Sequence, residues 1–185
     1  MSVLPIRTFP DPVLRTPAAA AGPDRTDLHR LVQDMFETMD DVGGVGLAAP
    51  QVGVELRVFT FDVEGRRGHV IDPVLWTSGE LVTEPGEGCL SVPGLHYNPE
   101  RYSEAVVTGV DADGQPVEYR GQGLLARCFQ HEVDHLEGRL YIDRLTGEDR
   151  KDSRRRLRDR AYGQVSGTTQ ADRAKSVNSS FGGAR

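Results

Sequence analysis

Apolar residues recur every three or four positions across residues 25–42, at Leu28, Leu31, Val32, Met35, Phe36, Met39 and Val42. That spacing predicts a helix with one buried stripe. Residues 124–137 predict a second helix, with Gly138 placed as its C-terminal stop. A third is predicted from residue 148 to about residue 161, opening on acids and continuing in arginines, as the helix dipole favours. Between the first two helices the pattern changes. Residues 56–63 predict a strand from their β-branched and aromatic content, and shorter strands are expected over 69–76 and 79–83. Residues 105–110 and 115–119 flank Asp111-Ala112-Asp113-Gly114, whose Asp-Gly step marks a hairpin turn.

Four prolines between Pro10 and Pro23 make that stretch an extended lead-in. Beyond Gly163 the residues offer almost nothing to bury, so disorder is expected there. The elements together predict an α+β fold: short antiparallel sheets packed around a central helix, with an N-terminal amphipathic helix and a C-terminal helix. A chain of 185 residues holds one core of this kind.

Charge divides the chain unevenly. Residues from Arg150 onward hold ten of the 22 Lys and Arg but three of the 28 Asp and Glu, so a basic tail follows an acidic body. Such a tail is a handle for nucleic acid or an RNA-rich particle, and equally a solvated helix. Two cysteines, Cys89 and Cys128, do not resemble a disulfide framework. No segment has the apolar length of a signal sequence or of a membrane span. A cytoplasmic location with no membrane partner is therefore expected.

The second helix carries the candidate chemistry, Gln130-His131-Glu132-Val133-Asp134-His135. His131 and His135 are one turn apart on one face and can converge on a single cation, with Glu132 beside them to handle the proton of a water. Two ligands leave a catalytic divalent metal one short. One protease class continues as His-Glu-x-x-His-x-x-Gly-x-x-His; Gly138 falls in place here, but the last position is Tyr141. Another takes a glutamate some twenty residues on, where this chain has Arg154, Arg155 and Arg156. The remaining candidates are Cys89, Cys128, His96 and His69. Cys128 shares the helix with the histidines and suits a pocket wall. Cys89, in Glu87-Gly88-Cys89-Leu90-Ser91, is the favoured third ligand. Glu87 is a candidate partner of Arg101, holding the cysteine segment. Two rivals are weighed beside a hydrolase of this kind: a metallopeptidase cutting internal bonds, and a non-enzymatic RNA-binding module that uses the arginines between 154 and 160.

Three segments together, Gly44-Val45-Gly46-Leu47-Ala48-Ala49-Pro50-Gln51, Glu87-Gly88-Cys89-Leu90-Ser91 and the His-Glu-Val-Asp-His run, resemble the signature motifs of peptide deformylase in order and separation. The resemblance extends over residues 3–145. It implies a metal-dependent hydrolase that removes the formyl group from N-formylmethionine of newly made polypeptides. By the same likeness Cys89, His131 and His135 are metal ligands, Glu132 is the general acid and base, and Gln51 with the backbone N–H of Leu90 supplies oxyanion donors. It implies ferrous iron in the cell, with zinc, nickel or cobalt able to take the site; ligand types alone would suggest zinc first. Val45, Gly46, Leu124 and Cys128 are expected to line the methionine slot. Arg127 and His96 depart from, or stand near, positions where the family often has an aliphatic and a polar rim residue. A catalytic domain over residues 1–147 is expected, followed by a basic helix and disordered tail over 148–185 that could contact the ribosome.

Overall fold

The computed structural model describes residues 2–22, 27–159, 162–164, 166, 167 and 169. Helix α1 spans Leu28–Asp41 and α2 spans Gly123–Leu136, each within a few residues of the periodicity that announces it. The expected start of α1 at Arg25 lies outside the described residues. Strands β1 (Gly46–Ala48), β2 (Val58–Val63), β3 (Arg66–Thr83), β6 (Glu100–Val110) and β7 (Pro116–Gln122) form one antiparallel sheet in the order β1-β2-β3-β6-β7. Strands β4 (Glu87–Cys89) and β5 (Val92–Tyr97) form a separate two-stranded ribbon. The α+β architecture around a central His-Glu-x-x-His helix is therefore present.

Strand β2 is buried on both faces, and its alternation explains how two helices share it. Val58 packs with α1 residues Leu28, Val32, Met35 and Met39 on one side. Phe59 and Phe61 point the other way, onto Phe129 and Val133 of α2. The ring centroids of Phe61 and Phe129 stand 5.1 Å apart at 83°, an edge-to-face contact. β1 follows the same alternation: Leu47 faces α1, while Ala48 packs with the α2 cluster. The sheet thus separates the two helices and hands one of its edges to α2.

The two short strands expected over 69–76 and 79–83 are one long strand, β3. Its pairing with β6 shifts register between Ile71 and Val74 and again between Ser78 and Leu81. Asp72 (φ 52°) and Gly79 (φ 80°) sit at those shifts, so the strand bulges once inside the first expected segment and again where the second was expected to begin, and runs on through both. The hairpin turn after β6 forms as expected, with Gly114 at φ 80° and its N–H donating to the Asp111 carbonyl at 3.0 Å.

Gly138 ends α2 at φ 69°, and a Cβ there would come within 2.7 Å of the Arg15 carbonyl oxygen. The close approach sets the lead-in segment, which contains a 3-10 turn at Pro12–Arg15, against the end of the central helix. A third cluster, of Leu14, Val92, Leu95, Leu140 and Tyr141, closes that side. Helix α3 spans Gly147–Arg158, and its expected end near Ala161 lies outside the described residues. Past it, Tyr162, Gly163, Gln164, Ser166, Gly167 and Thr169 are helical, and Tyr162 and Ser166 are buried. Where disorder was expected beyond Gly163, the described residues Gln164, Ser166, Gly167 and Thr169 are helical, and the hydroxyl of Ser166 supplies a contact that composition alone did not suggest. Residues after Thr169 lie outside the described residues.

Replacing Phe129 by Ala should lower the unfolding free energy by about 3–5 kcal/mol, because the ring is fully buried between Phe59 and Phe61. Urea unfolding at fixed metal occupancy measures this, and a loss below about 1 kcal/mol would mean the sheet–helix interface is not where the core energy lies.

Candidate metal centre

Three chain segments deliver the site. α2 presents His131, Glu132 and His135 toward β1 and the ribbon; β4 carries Cys89 alongside; the 3-10 turn Ala49–Val52 carries Gln51. Among the described residues, Cys89 Sγ and one ring nitrogen from each of His131 and His135 lie within 4.8 Å of one another. Cys89 Sγ stands 3.2 Å from His135 Nε2. Ligands at metal distance around a tetrahedral cation stand roughly 3.3–3.6 Å apart, so the gap between these atoms fits a small divalent ion. Burial and the neighbouring His131 hold the His135 imidazole well below its ordinary pKa, in the neutral form a metal requires.

The imidazoles are aimed by what lies behind them. Nδ1 of His131 is 2.7 Å from Glu87 Oε1, and an ionised carboxylate can only accept, so Nδ1 carries a proton and Nε2 is the nitrogen left to face a cation when one is bound. Burial alone would raise the Glu87 carboxyl, but hydrogen bonds from His131 and Arg101 outweigh it and hold the group at about 2. The expected pairing of Glu87 with Arg101 is present: Arg101 Nη2 reaches Glu87 Oε1 at 2.6 Å and Nε reaches Oε2 at 3.1 Å. Arg101 Nη1 also donates to Asp134 Oδ2 at 2.6 Å, and Arg144 closes the chain on the same carboxylate. Tyr141, at the place where a protease would put its third histidine, instead stacks on His131 with ring centroids 6.1 Å apart and donates its hydroxyl to the Leu95 carbonyl.

Glu132 is 3% exposed, and its Oε2 is buried with no hydrogen-bond partner among the described residues. Burial raises its carboxyl to about 7, where it can both take and return a proton near neutral pH. Gly46 makes room for it: a Cβ on that glycine would come 2.4 Å from Glu132 Oε1 and 2.8 Å from Cys128 Sγ. Gln51 is also buried. Its Oε1 accepts the Ala48 N–H at 2.8 Å, which turns Nε2 toward Ser91 Oγ at 3.3 Å and Cys89 Sγ at 3.7 Å. A donor therefore faces the cysteine side of the site.

These groups open on a cleft of about 540 Å³. Val45, Gly46, Leu124 and Cys128 all line it, with Leu90 at its edge. Burial pushes the Cys128 thiol pKa up, and its Sγ is 3.5 Å from the Val45 carbonyl oxygen; it lines the wall and stands outside the group of three. His96 is exposed on the cleft's rim, and Arg127 lines the cleft paired with Glu84 at 3.5 Å. His69 is elsewhere, accepting the Ala112 N–H at 3.0 Å. Sequence reasoning missed Asp134, Ser91 and Thr169. Asp134 alone carried a signal, as an acid on a helix whose other flanking positions are apolar.

An α+β fold that brings a thiol and two imidazoles to one cation-sized gap, beside a buried carboxyl in an open cleft, defines a metallohydrolase. The family model of polypeptide deformylase matches residues 3–151. The chain belongs to the peptide deformylase family, metal-dependent enzymes that remove the formyl group from the N-terminus of newly made polypeptides. Peptide deformylase of Acidothermus cellulolyticus is 52% identical over 159 residues, 86% of this chain and 88% of that one. Its counterpart from Mycolicibacterium paratuberculosis is 48% identical over 180 residues, 88% of this chain and 91% of that one. Among solved structures, peptide deformylase from Legionella pneumophila aligns at a TM-score of 0.78 and 40% identity, covering 84% of this chain and 94% of that one. That from Thermus thermophilus aligns at 0.79 and 37% identity, covering 92% and 99%.

Exchanging Arg101 for Met should cost about 3–5 kcal/mol, since it leaves the Glu87 and Asp134 carboxylates buried without their shared cation. The same variant should retain less metal after dialysis against a chelator. Unfolding and metal analysis together check this; unchanged metal retention would detach the ion network from the ligands.

Proposed function

We propose that Cys89, His131 and His135 hold the metal of this deformylase and that Glu132 moves the protons of the reaction. The observation that carries the reading is the convergence of three ligand atoms beside the buried Glu132 carboxyl. When bound, a divalent cation at this place activates water and polarises the formyl carbonyl. Glu132 accepts the proton of the attacking water and returns it to the amine that leaves, giving formate and a free N-terminus. Negative charge growing on the formyl oxygen is met by the Gln51 amide and the Leu90 N–H. Donors of this type are typically worth about 2.7–4 kcal/mol each.

The methionine side chain is assigned to the part of the cleft lined by Val45, Gly46, Leu124 and Cys128, where apolar surface and small residues suit an unbranched thioether. One thiolate and two imidazoles suit ferrous iron, the ion proposed for the cell, and equally zinc, nickel or cobalt in the purified protein. The catalytic unit is taken as residues 1–147, with the basic helix and the tail, residues 148–185, appended to it. Because the substrate is a nascent polypeptide, the cytoplasm is its proposed place of action. No helix among the described residues is long and apolar enough to cross a membrane.

Association with the ribosome is proposed for α3. Arg150, Arg154 and Arg158 recur at four-residue spacing and line, with Arg15, a groove of about 550 Å³. A row of guanidinium groups in a groove suits phosphates of structured RNA.

Glu132→Gln should keep one metal per chain and lose formate release from formyl-Met peptides by roughly a hundredfold or more; turnover near wild type would defeat the assigned role. Arg154→Glu combined with Arg158→Glu should weaken co-sedimentation with ribosomes most at low salt. Equal binding of variant and parent at every salt concentration would remove the ribosome reading and leave the chemistry standing.

A further inference from the structure

The active-site cleft has a wall supplied from near the C-terminal end of the described chain. Thr169 lines it together with Cys89, His131 and Glu132. Two anchors hold the helical residues that lead to it. Tyr162 is 8% exposed and packs with Leu14, Val92, Leu95 and Leu145. Ser166 is 5% exposed, with its Oγ 2.9 Å from Thr8 Oγ1 and 3.4 Å from the Phe9 carbonyl oxygen.

The anchors rest on the site itself. The N–H of Phe9 donates to the Ser91 carbonyl at 2.9 Å, and the N–H of Arg7 donates to the Gln51 carbonyl at 2.7 Å. Residues 7–9 are therefore bonded on one side to the loop and turn that carry Leu90, Ser91 and Gln51, and on the other to Ser166. A segment docked in this way has a defined position beside the cleft.

Its side of the cleft decides what it can touch. Tyr162 packs against β5 residues Val92 and Leu95, whereas Cys128 belongs to the core between α2 and the sheet. With the formyl group at the metal centre and the methionine side chain toward Leu124 and Cys128, only the following residues of a substrate remain to meet the β5 side. We propose that Thr169, positioned through the anchored residues Tyr162 and Ser166, forms a wall of the substrate cleft. Thr169 is a specificity-determining residue of that wall, in contact with the polypeptide residues after the formylated methionine. The assignment rests on the placement of the formyl group proposed above.

The test is steady-state kinetics of the full-length, metal-loaded enzyme on two substrates, formyl-methionine amide, which has no following residue, and formyl-Met-Ala-Ser. The quantity read is KM for the tripeptide divided by KM for the amide. Thr169→Trp, which fills the wall, should raise this ratio at least roughly fivefold. Ser166→Val leaves Thr169 in place but removes its hydroxyl anchor, and should raise the ratio at least roughly twofold. A ratio equal to the parent's in either folded, metal-loaded variant overturns the proposal. So does a fall in kcat on both substrates at constant ratio, which would place the segment's effect on the chemistry. Absence of formate release by the parent enzyme would strike the placement of the formyl group instead.

Discussion

One buried guanidinium holds the site together. Arg101 enters from the start of β6 and joins Glu87 on β4 to Asp134 on α2, with both carboxylates buried beside it. Cys89 lies two residues from Glu87, and His135 adjoins Asp134, so the cation joins the strand that carries the thiol to the helix that carries the imidazoles. Burying these charges is costly, and they are tolerated because each has a partner at hydrogen-bond distance. The same network points inward: Glu87 accepts the hydrogen bond of His131 Nδ1 and fixes the ring's orientation. Removing the arginine would therefore disturb stability and ligand geometry together, because one side chain serves both.

Around that tie, the burial of Glu132 and the smallness of Gly46 are two halves of one arrangement. A helix carboxyl reaches a neutral-range pKa only where water is kept from it, and here backbone packs directly against it. β1 can lie this close to α2 because its residue there has no side chain. The alternation that sends Leu47 toward α1 sends Gly46 and Ala48 toward α2, so the pleat of a three-residue strand sets the environment of the acid.

Much of this was legible in the chain. The 3.6-residue recurrences located α1 and α2, and the Asp-Gly step located the β6–β7 turn, because local periodicity and turn chemistry act within a few residues. The motif spacing named Cys89, His131, Glu132 and His135, and the structure brings the three ligand atoms within reach of one another. Three features were hidden. β3 read as two strands because Ser78-Gly79 looks like a break, and whether such a step ends a strand or bulges it depends on the β6 partner. Asp134 read as filler in the motif because its partners, Arg101 and Arg144, are distant or beyond the helix. Residues near Thr169 read as disordered because a few hydroxyls and one tyrosine dock the segment, and composition counts apolar mass.

The contact between Ser166 and Thr8 joins residues 158 positions apart in the chain. In a protein made from its N-terminus, Thr8 and Phe9 emerge long before the residue that covers them. In an enzyme that works on chains still being synthesised, this contact thus forms only after the 158 positions that separate its two residues have been added. Cys89, His131 and His135 all precede Ser166 in the chain, so the order of translation delivers the residues of the chemistry before the residue that covers this flank.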